Sequence, residues 1–186
     1  MCNQANGQMD TRQLLERYRQ GNDPLAARQL YEAYAGAMYN ICLRMLNDVQ
    51  LAEDTLQDAF YQVFKSLHTF RGESTLGAWI KSIVVNRCLN QLKKKKHFFM
   101  PVDEMELTEE EPVDEKAHAY TVARVQDAIR KLPDGYRVVL SLYLFEGYSH
   151  KAIAAELGIS ESTAKTQYLR AKAKVRQWVQ ETAQAG

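Results

Sequence analysis

Several absences bound what this 186-residue chain can be. Cysteine is scarce, and Cys2, Cys42 and Cys88 have no motif spacing. Cys42 and Cys88 stand among apolar helical neighbours and read as small buried hydrophobes. An odd cysteine count fits a reducing cytosol better than a disulfide scaffold. Long hydrophobic runs are missing too. The longest nearly apolar stretch, Val138 to Phe145, falls far short of the roughly 20 residues a spanning helix needs. The first eight residues are polar and lack the apolar core of a signal peptide. The expectation is a soluble, cytoplasmic chain without membrane insertion. Excess charge of one sign is also absent: 24 Lys and Arg against 23 Asp and Glu leave a formal net charge of +1. That excludes a protein coated in basic residues. The materials of an enzyme are lacking as well. His68, His97, His118 and His150 are scattered, and no metal-ligand, nucleophile or phosphate-loop spacing occurs. The expectation is no enzyme, no cofactor and no metal.

What is present is segregated charge on helical periodicity. Arg71 to Lys96 carries seven bases and one acid, Asp103 to Lys116 eight acids and one base, and Ser162 to Gln180 five bases and no acid. Such blocks in a near-neutral total imply surfaces with separate jobs. Asp10 with Gln13 reads as a capping box opening a helix over Thr11–Gln20. Asp23 before Pro24 is an N-cap with proline at the first helical position. The next helix runs to about Leu46 with Ala27, Tyr31, Tyr34, Met38, Ile41, Cys42 and Met45 as its stripe. A third, from about Leu51 to Leu67, carries Leu56, Ala59, Phe60, Val63, Phe64 and Leu67 on one face. Ser74 is expected to cap a fourth, Thr75 to about Lys95.

His97 to His118, with Pro101, Pro112 and eight acids, reads as a flexible linker and the domain boundary. Helices then resume: Ala119 to Leu132, a Pro133-Asp134-Gly135 turn, Tyr136 to Phe145, Ser149 to Leu157 and Glu161 to about Thr182. Val138 to Phe145 could be a buried strand on propensity, but no other strand exists to pair with it. The fold class expected is all-α: two small helical bundles joined by an acidic linker.

Three segments carry chemistry. From Tyr148 to Lys174, Ser149 caps one helix, Gly158 supplies the left-handed residue that ends it, and Ser160 caps the next. This is helix–turn–helix spacing, in which the second helix presents its N-terminal residues to base edges in the major groove. Glu161, Ser162, Thr163, Lys165, Thr166 and Gln167 form that tip, while Arg170, Lys172, Lys174 and Arg176 suit phosphates. Ala164, Tyr168 and Ala171 are left for the core. An ordinary helical hairpin with a solvated basic face is the plainer alternative.

From Phe70 to Lys96, the loop Arg71-Gly72-Glu73-Ser74 precedes a helix bearing Trp79, with Ser82, Asn86 and Asn90 in a row and Arg87, Lys93 and Lys94 beside it. Amides read base edges and cations neutralise phosphates; a solvated helix end with a lysine tail is the alternative. On the third helix Glu53, Asp54, Gln57, Asp58 and Tyr61 lie opposite the core stripe. That acidic, amide-rich face suits docking onto a basic protein, though acids in a first turn also complement the helix dipole.

In order, Ala52-Glu53-Asp54-x-x-Gln57-x-x-Phe60, Phe70-Arg71-Gly72-x-Ser74, Trp79-Ile80-x-x-Ile83-x-x-Asn86, Leu132-Pro133, Ile153-Ala154 and Leu157-Gly158-Ile159-Ser160 resemble bacterial sigma factors. From about Tyr18 to Val179 the chain resembles the extracytoplasmic-function (ECF) subgroup of the sigma-70 family. The resemblance implies an N-terminal extension over 1–23, region 2 over 24–96, a linker over 97–118 and region 4 over 119–186. It implies a promoter-specificity subunit whose partners are RNA polymerase core, through the β′ clamp and β subunits, and promoter DNA. Anti-sigma factors are common partners in that family. By the same resemblance Glu53, Asp54, Gln57, Asp58 and Tyr61 dock on core polymerase. Arg71, Ser74, Trp79, Asn86, Arg87, Asn90, Lys93 and Lys94 serve recognition and melting of the −10 element. Ser162, Thr163, Lys165, Thr166, Gln167, Arg170 and Lys174 serve the −35 element. Ala152, Gln167 and Tyr168 depart from residues common in the family, which bears on the −35 sequence read.

The linker's 22 residues could extend to roughly 70–80 Å, and two DNA turns are about 70 Å, so two readers can reach elements on one face of a duplex. Its acidity suits either mimicry of nucleic acid or a plain solvated tether. The rival reading is a stand-alone helix–turn–helix regulator, which would need neither the acidic docking face nor a melting loop.

Overall fold

The computed structural model describes residues 11–21, 23–94 and 122–184. Among them the chain forms eight α-helices, one 3-10 turn and no strand, as the all-α reading expects. The helices are α1 Thr11–Gly21, α2 Pro24–Leu46, α3 Val49–Ser66, α4 Leu76–Lys93, α5 Val122–Lys131, α6 Asp134–Leu144, α7 His150–Leu157 and α8 Glu161–Gln184, with the 3-10 turn at Leu67–Thr69. The expected capping box at Asp10, the acidic linker His97–His118 and Cys2 lie outside the described residues. The described residues divide into two compact units, within Met1–Leu43 plus Asp48–Asn90 and within Arg44–Asn47 plus Gln91–Gly186.

In the first unit, local chemistry sets the helix starts. The Asp23 carboxylate accepts from the amides of Leu25 (2.9 Å) and Ala26 (3.4 Å), and these bonds hold it below the usual carboxylate range. Asp48 accepts from Leu51 N at 2.9 Å and so begins α3 at Val49, two residues before the expected Leu51. Thr75, not Ser74, caps α4: the amide of Ala78 donates to Thr75 Oγ1 at 3.2 Å, because only a hydroxyl three residues upstream spans that reach.

The α2 stripe is offset at its start. Ala26 and Leu30 are buried, whereas Ala27 is half-buried and Tyr31 exposed. A step of 3.6 residues back from Ile41 and Met38 leads to Leu30 and Ala26. Tyr31 instead lays its ring edge-on against Phe60, centroids 4.7 Å apart. On α3, Ala52, Leu56, Ala59, Phe60 and Val63 are buried, with Leu67 just beyond; Phe64 is half-buried, under the ring of Tyr18. On α4 the core face is Leu76, Ile80, Val84, Val85, Cys88, Leu89 and Leu92, while Ile83 is only half-buried. Gly77 lets α4 approach α2 closely, since a Cβ there would stand 3.1 Å from the Tyr34 ring.

In the second unit, α8 packs along α5, α6 and α7. Ile129, Leu132, Tyr136, Leu140 and Ala171 form its core, with Val125, Tyr168, Val175 and Trp178 against them. The segment read as a Pro133-Asp134-Gly135 turn is already helical. Pro133 sits at the N-cap position of α6, and the amide of Arg137 donates to its carbonyl at 2.9 Å. Asp134, in the first turn, complements the dipole and pairs with the Arg137 guanidinium. From Tyr136 to Leu142 every residue of α6 is buried. A helix enclosed on all sides carries apolar residues around its whole circumference, here interrupted only by Arg137 and Ser141, which is why its sequence also reads as a strand.

Candidate nucleic-acid interface

The helix–turn–helix is built by caps. Ser149 Oγ accepts from Ala152 N at 3.1 Å to start α7, and Gly158, at φ +68°, ends it. That left-handed conformation costs an L-residue about 1–2 kcal/mol, so glycine suits the turn. Ile159 N donates to the Ala154 carbonyl at 3.0 Å, and the Ile159 side chain is half-buried between the helices' ends. Ser160 Oγ then accepts from Thr163 N at 3.0 Å and starts α8.

This register orients α8. Ala164 and Ala171 are completely buried and Tyr168 half-buried, so Ser162, Thr163 and Lys165 are exposed. The hydroxyls of Ser162 and Thr163 gather on Ser160 Oγ at 2.8 and 2.7 Å. Lys165 Nζ lies 3.0 Å from Glu161 and holds that carboxyl below its usual range. Thr166, Gln167, Arg170 and Lys174 are half-buried. Gln167 Oε1 and Arg170 Nε are buried without a hydrogen-bond partner. Lys174 Nζ stands 5.7 Å above the Trp178 ring. Sequence reasoning left His150 unassigned; its ring stacks on Tyr143 at 4.3 Å and 9° and lies 5.4 Å from Tyr168, bracing the end of α6 and the start of α7 against α8. Aromatic spacing across three helices carries no local sequence signal.

On α4, Asn86, Asn90 and Lys93 are exposed, as is Lys94 just beyond it. Ser82 of the same row turns its hydroxyl back to the Trp79 carbonyl at 2.8 Å. Arg87 reaches across to Gln62 Oε1 on α3 at 3.2 Å, and Lys94 donates to Gln91 at 3.2 Å. Trp79 packs its ring, tilted by 49°, against Phe70 at 5.4 Å, supporting the loop that exposes Arg71 and Ser74. Beneath that loop lies a cavity of about 590 Å³ lined by Arg12, Arg19, Tyr34, Phe70, Arg71 and Ser74 among others. Arg19 bonds the Phe70 carbonyl and lies over its ring. The two α1 arginines were missed because α1 reads as a plain extension, although a spacing of seven puts both on one helix face.

On α3, Glu53, Asp54, Gln57, Asp58 and Tyr61 are exposed, Tyr61 to 70%, opposite the buried stripe. Among the described residues no group of three or more His, Cys, Asp or Glu could hold a metal, and no helix is long and apolar enough to cross a membrane.

Residues 30–98 match the family described as Sigma-70 region 2, and residues 123–175 match Sigma-70, region 4. The chain is 30% identical over 155 residues to the ECF RNA polymerase sigma factor SigM of Mycobacterium tuberculosis, covering 82% of this chain and 76% of that one. The chain belongs to the sigma-70 family, ECF branch. This sigma factor is also 28% identical over 179 residues to the RNA polymerase sigma-H factor of Pseudomonas aeruginosa, covering 89% and 91% of the two chains. In fold it is similar to the sigma factor RpoE of Bartonella quintana, solved with the anti-sigma factor NepR, at a TM-score of 0.53 and 19% identity over 82% of this chain and 96% of that one. Sigma factors initiate transcription and are not enzymes, so no catalytic centre is expected of this one. The region 2 match separates it from a stand-alone helix–turn–helix regulator.

Proposed function

We propose that this sigma factor, in the cytoplasm, joins RNA polymerase core through the outer face of α3, opens the −10 element with α4 and its preceding loop, and reads the −35 element with the tip of α8. In residue terms, Glu53, Asp54, Gln57, Asp58 and Tyr61 dock. Arg71, Ser74, Trp79, Asn86, Arg87, Asn90, Lys93 and Lys94 meet the melting strand. Ser162, Thr163, Lys165, Thr166, Gln167, Arg170 and Lys174 meet the upstream duplex. Region 2 spans 24–96, a tether 97–118 and region 4 119–186, and an anti-sigma factor is a further partner. The observation that carries the reading is the register of α8, whose buried Ala164 and Ala171 turn Lys165 and the capping hydroxyls outward.

Two substitutions separate base reading from phosphate binding. Lys165→Ala is expected to relax sequence preference at the upstream element and cost about 1–3 kcal/mol. Lys174→Ala is expected to weaken all sequences alike and lower the salt slope by about one. Binding of holoenzyme to promoter variants across a salt series decides between them; a change of sequence preference with Lys174→Ala alone would reverse the orientation of α8.

Asn86→Ala is expected to leave upstream binding intact and to reduce opening. Permanganate footprinting on closed and pre-melted templates measures this. A defect of equal size on both would assign Asn86 to base reading alone.

A further inference from the structure

Cys42 on α2 and Cys88 on α4 are both completely buried, and their sulfurs lie 3.6 Å apart although 46 positions separate them in sequence. Neither has a task in promoter recognition. As small hydrophobes they could stand anywhere in the core; here they touch each other across a helix–helix contact. The Cys88 thiol donates to the Cys42 sulfur, and that bond holds the Cys42 thiol below its ordinary range. A thiolate is the nucleophilic form. A disulfide requires about 2.05 Å between sulfurs, so a closure of about 1.5 Å would join them.

We propose that Cys42 and Cys88 are a peroxide-oxidisable pair whose disulfide ties α2 to α4 and, by displacing α4, weakens opening of the −10 element. The Cys42 thiolate attacks one oxygen of hydrogen peroxide. The O–O bond breaks, the leaving hydroxide takes a proton to become water, and Cys42 is left as a sulfenic acid. Cys88 then attacks that sulfur: the S–S bond forms, the S–O bond breaks, and a second water leaves with the Cys88 proton. Two thiols lose two electrons in total and one peroxide gains them. Complete burial makes entry of the oxidant depend on local opening of the helices, so the reaction is slower than at an exposed thiol. Dithiothreitol reaches the finished bond through the same local opening, so reduction is slow but complete on prolonged incubation.

The effect on the promoter follows from rigidity. Asn86 and Asn90 stand two residues either side of Cys88 on the exposed face of α4. A helix pulled at Cys88 carries both with it. Misplacement of positioning groups by about 1 Å can cost about 100-fold. This half of the proposal rests on α4 being the −10 reader; the disulfide itself does not.

The test uses the full chain in a Cys2→Ser background and its holoenzyme. After hydrogen peroxide treatment and alkylation, peptide mapping should find Cys42 joined to Cys88 within one chain, two hydrogens lighter, and separated again by dithiothreitol. Permanganate reactivity of the −10 element should fall about tenfold on oxidation and return with dithiothreitol, which does not reverse methionine oxidation. Cys42→Ser and Cys88→Ser should resist, and the oxidised-against-reduced comparison holds even where those variants fold poorly. Absence of the linked peptide overturns the pair. A linked peptide with unchanged opening overturns the coupling to the promoter, provided Asn86→Ala lowers opening in the reduced chain. If Asn86→Ala has no effect either, the assignment of α4 fails instead.

Discussion

Replacing Glu53 and Asp54 together by lysine is expected to abolish holoenzyme assembly while leaving the chain folded. Both carboxylates are exposed on α3, on the side away from buried Leu56, Phe60 and Val63. Asp54 accepts one hydrogen bond, from Gln50 at 3.3 Å, and that bond is also exposed. Surface charges of this kind contribute little to stability, so the free energy of unfolding should change by less than about 1 kcal/mol. A docking face is different. Reversing two charges against a basic partner brings like charges into contact and costs several kcal/mol of affinity, enough for at least a hundredfold loss. Competition pull-down of core polymerase by wild-type and variant chains measures it, with circular dichroism as the control for folding. Equal retention of a folded variant would remove this face from the interface.

The second large effect is structural. Leu89→Ala should cost about 2–5 kcal/mol, the range for deleting a fully buried leucine and leaving part of the cavity unfilled. Leu89 is 1% exposed, one turn before the end of α4, and domains are stable by only about 5–15 kcal/mol in total. The neighbouring Asn90→Ala, on the exposed face, should stay within about 0.5 kcal/mol. Denaturation followed by Trp79 fluorescence in a Trp178→Phe background compares the two. Equal destabilisation would mean that the register of α4 is wrong. With the register as observed, Leu89→Ala should also lower promoter opening, since it loosens the helix that presents Asn86.

Much of the fold is legible because its signals are local. Asp23-Pro24, Ser149, Gly158 and Ser160 act within one turn of themselves, and each holds the backbone it was expected to hold. The choice between Ser74 and Thr75 was not legible, because two adjacent hydroxyls differ only in which one lies three residues before an amide that points at it. Nor was the start of the α2 stripe: Ala26 and Ala27 are one residue apart, and the Tyr31 ring leaves the core line to meet Phe60.

Among the candidate site residues, the outward face of α3 and the tip of α8 follow from periodicity, since once Phe60 or Ala164 is buried the residues opposite must face out. Arg87 does not follow that logic. Its bond to Gln62 depends on how α4 lies against α3, and no spacing within α4 encodes it. The cavity under the 70–75 loop is likewise lined by α1, an element whose own sequence points only to an N-terminal extension.

The sequence by itself therefore determined the helical class, the helix ends set by Asp23, Ser149, Gly158 and Ser160, and the motifs that mark a sigma factor, because each depends on residues within a few positions of one another. Only the tertiary structure decided which residues meet across helices: Arg87 with Gln62, His150 with Tyr143 and Tyr168, and Cys42 with Cys88, 46 positions away. The physical reason is that backbone hydrogen bonds and caps are satisfied locally, whereas side-chain packing is settled by the crossing of helices whose separation along the chain says nothing about their distance in space.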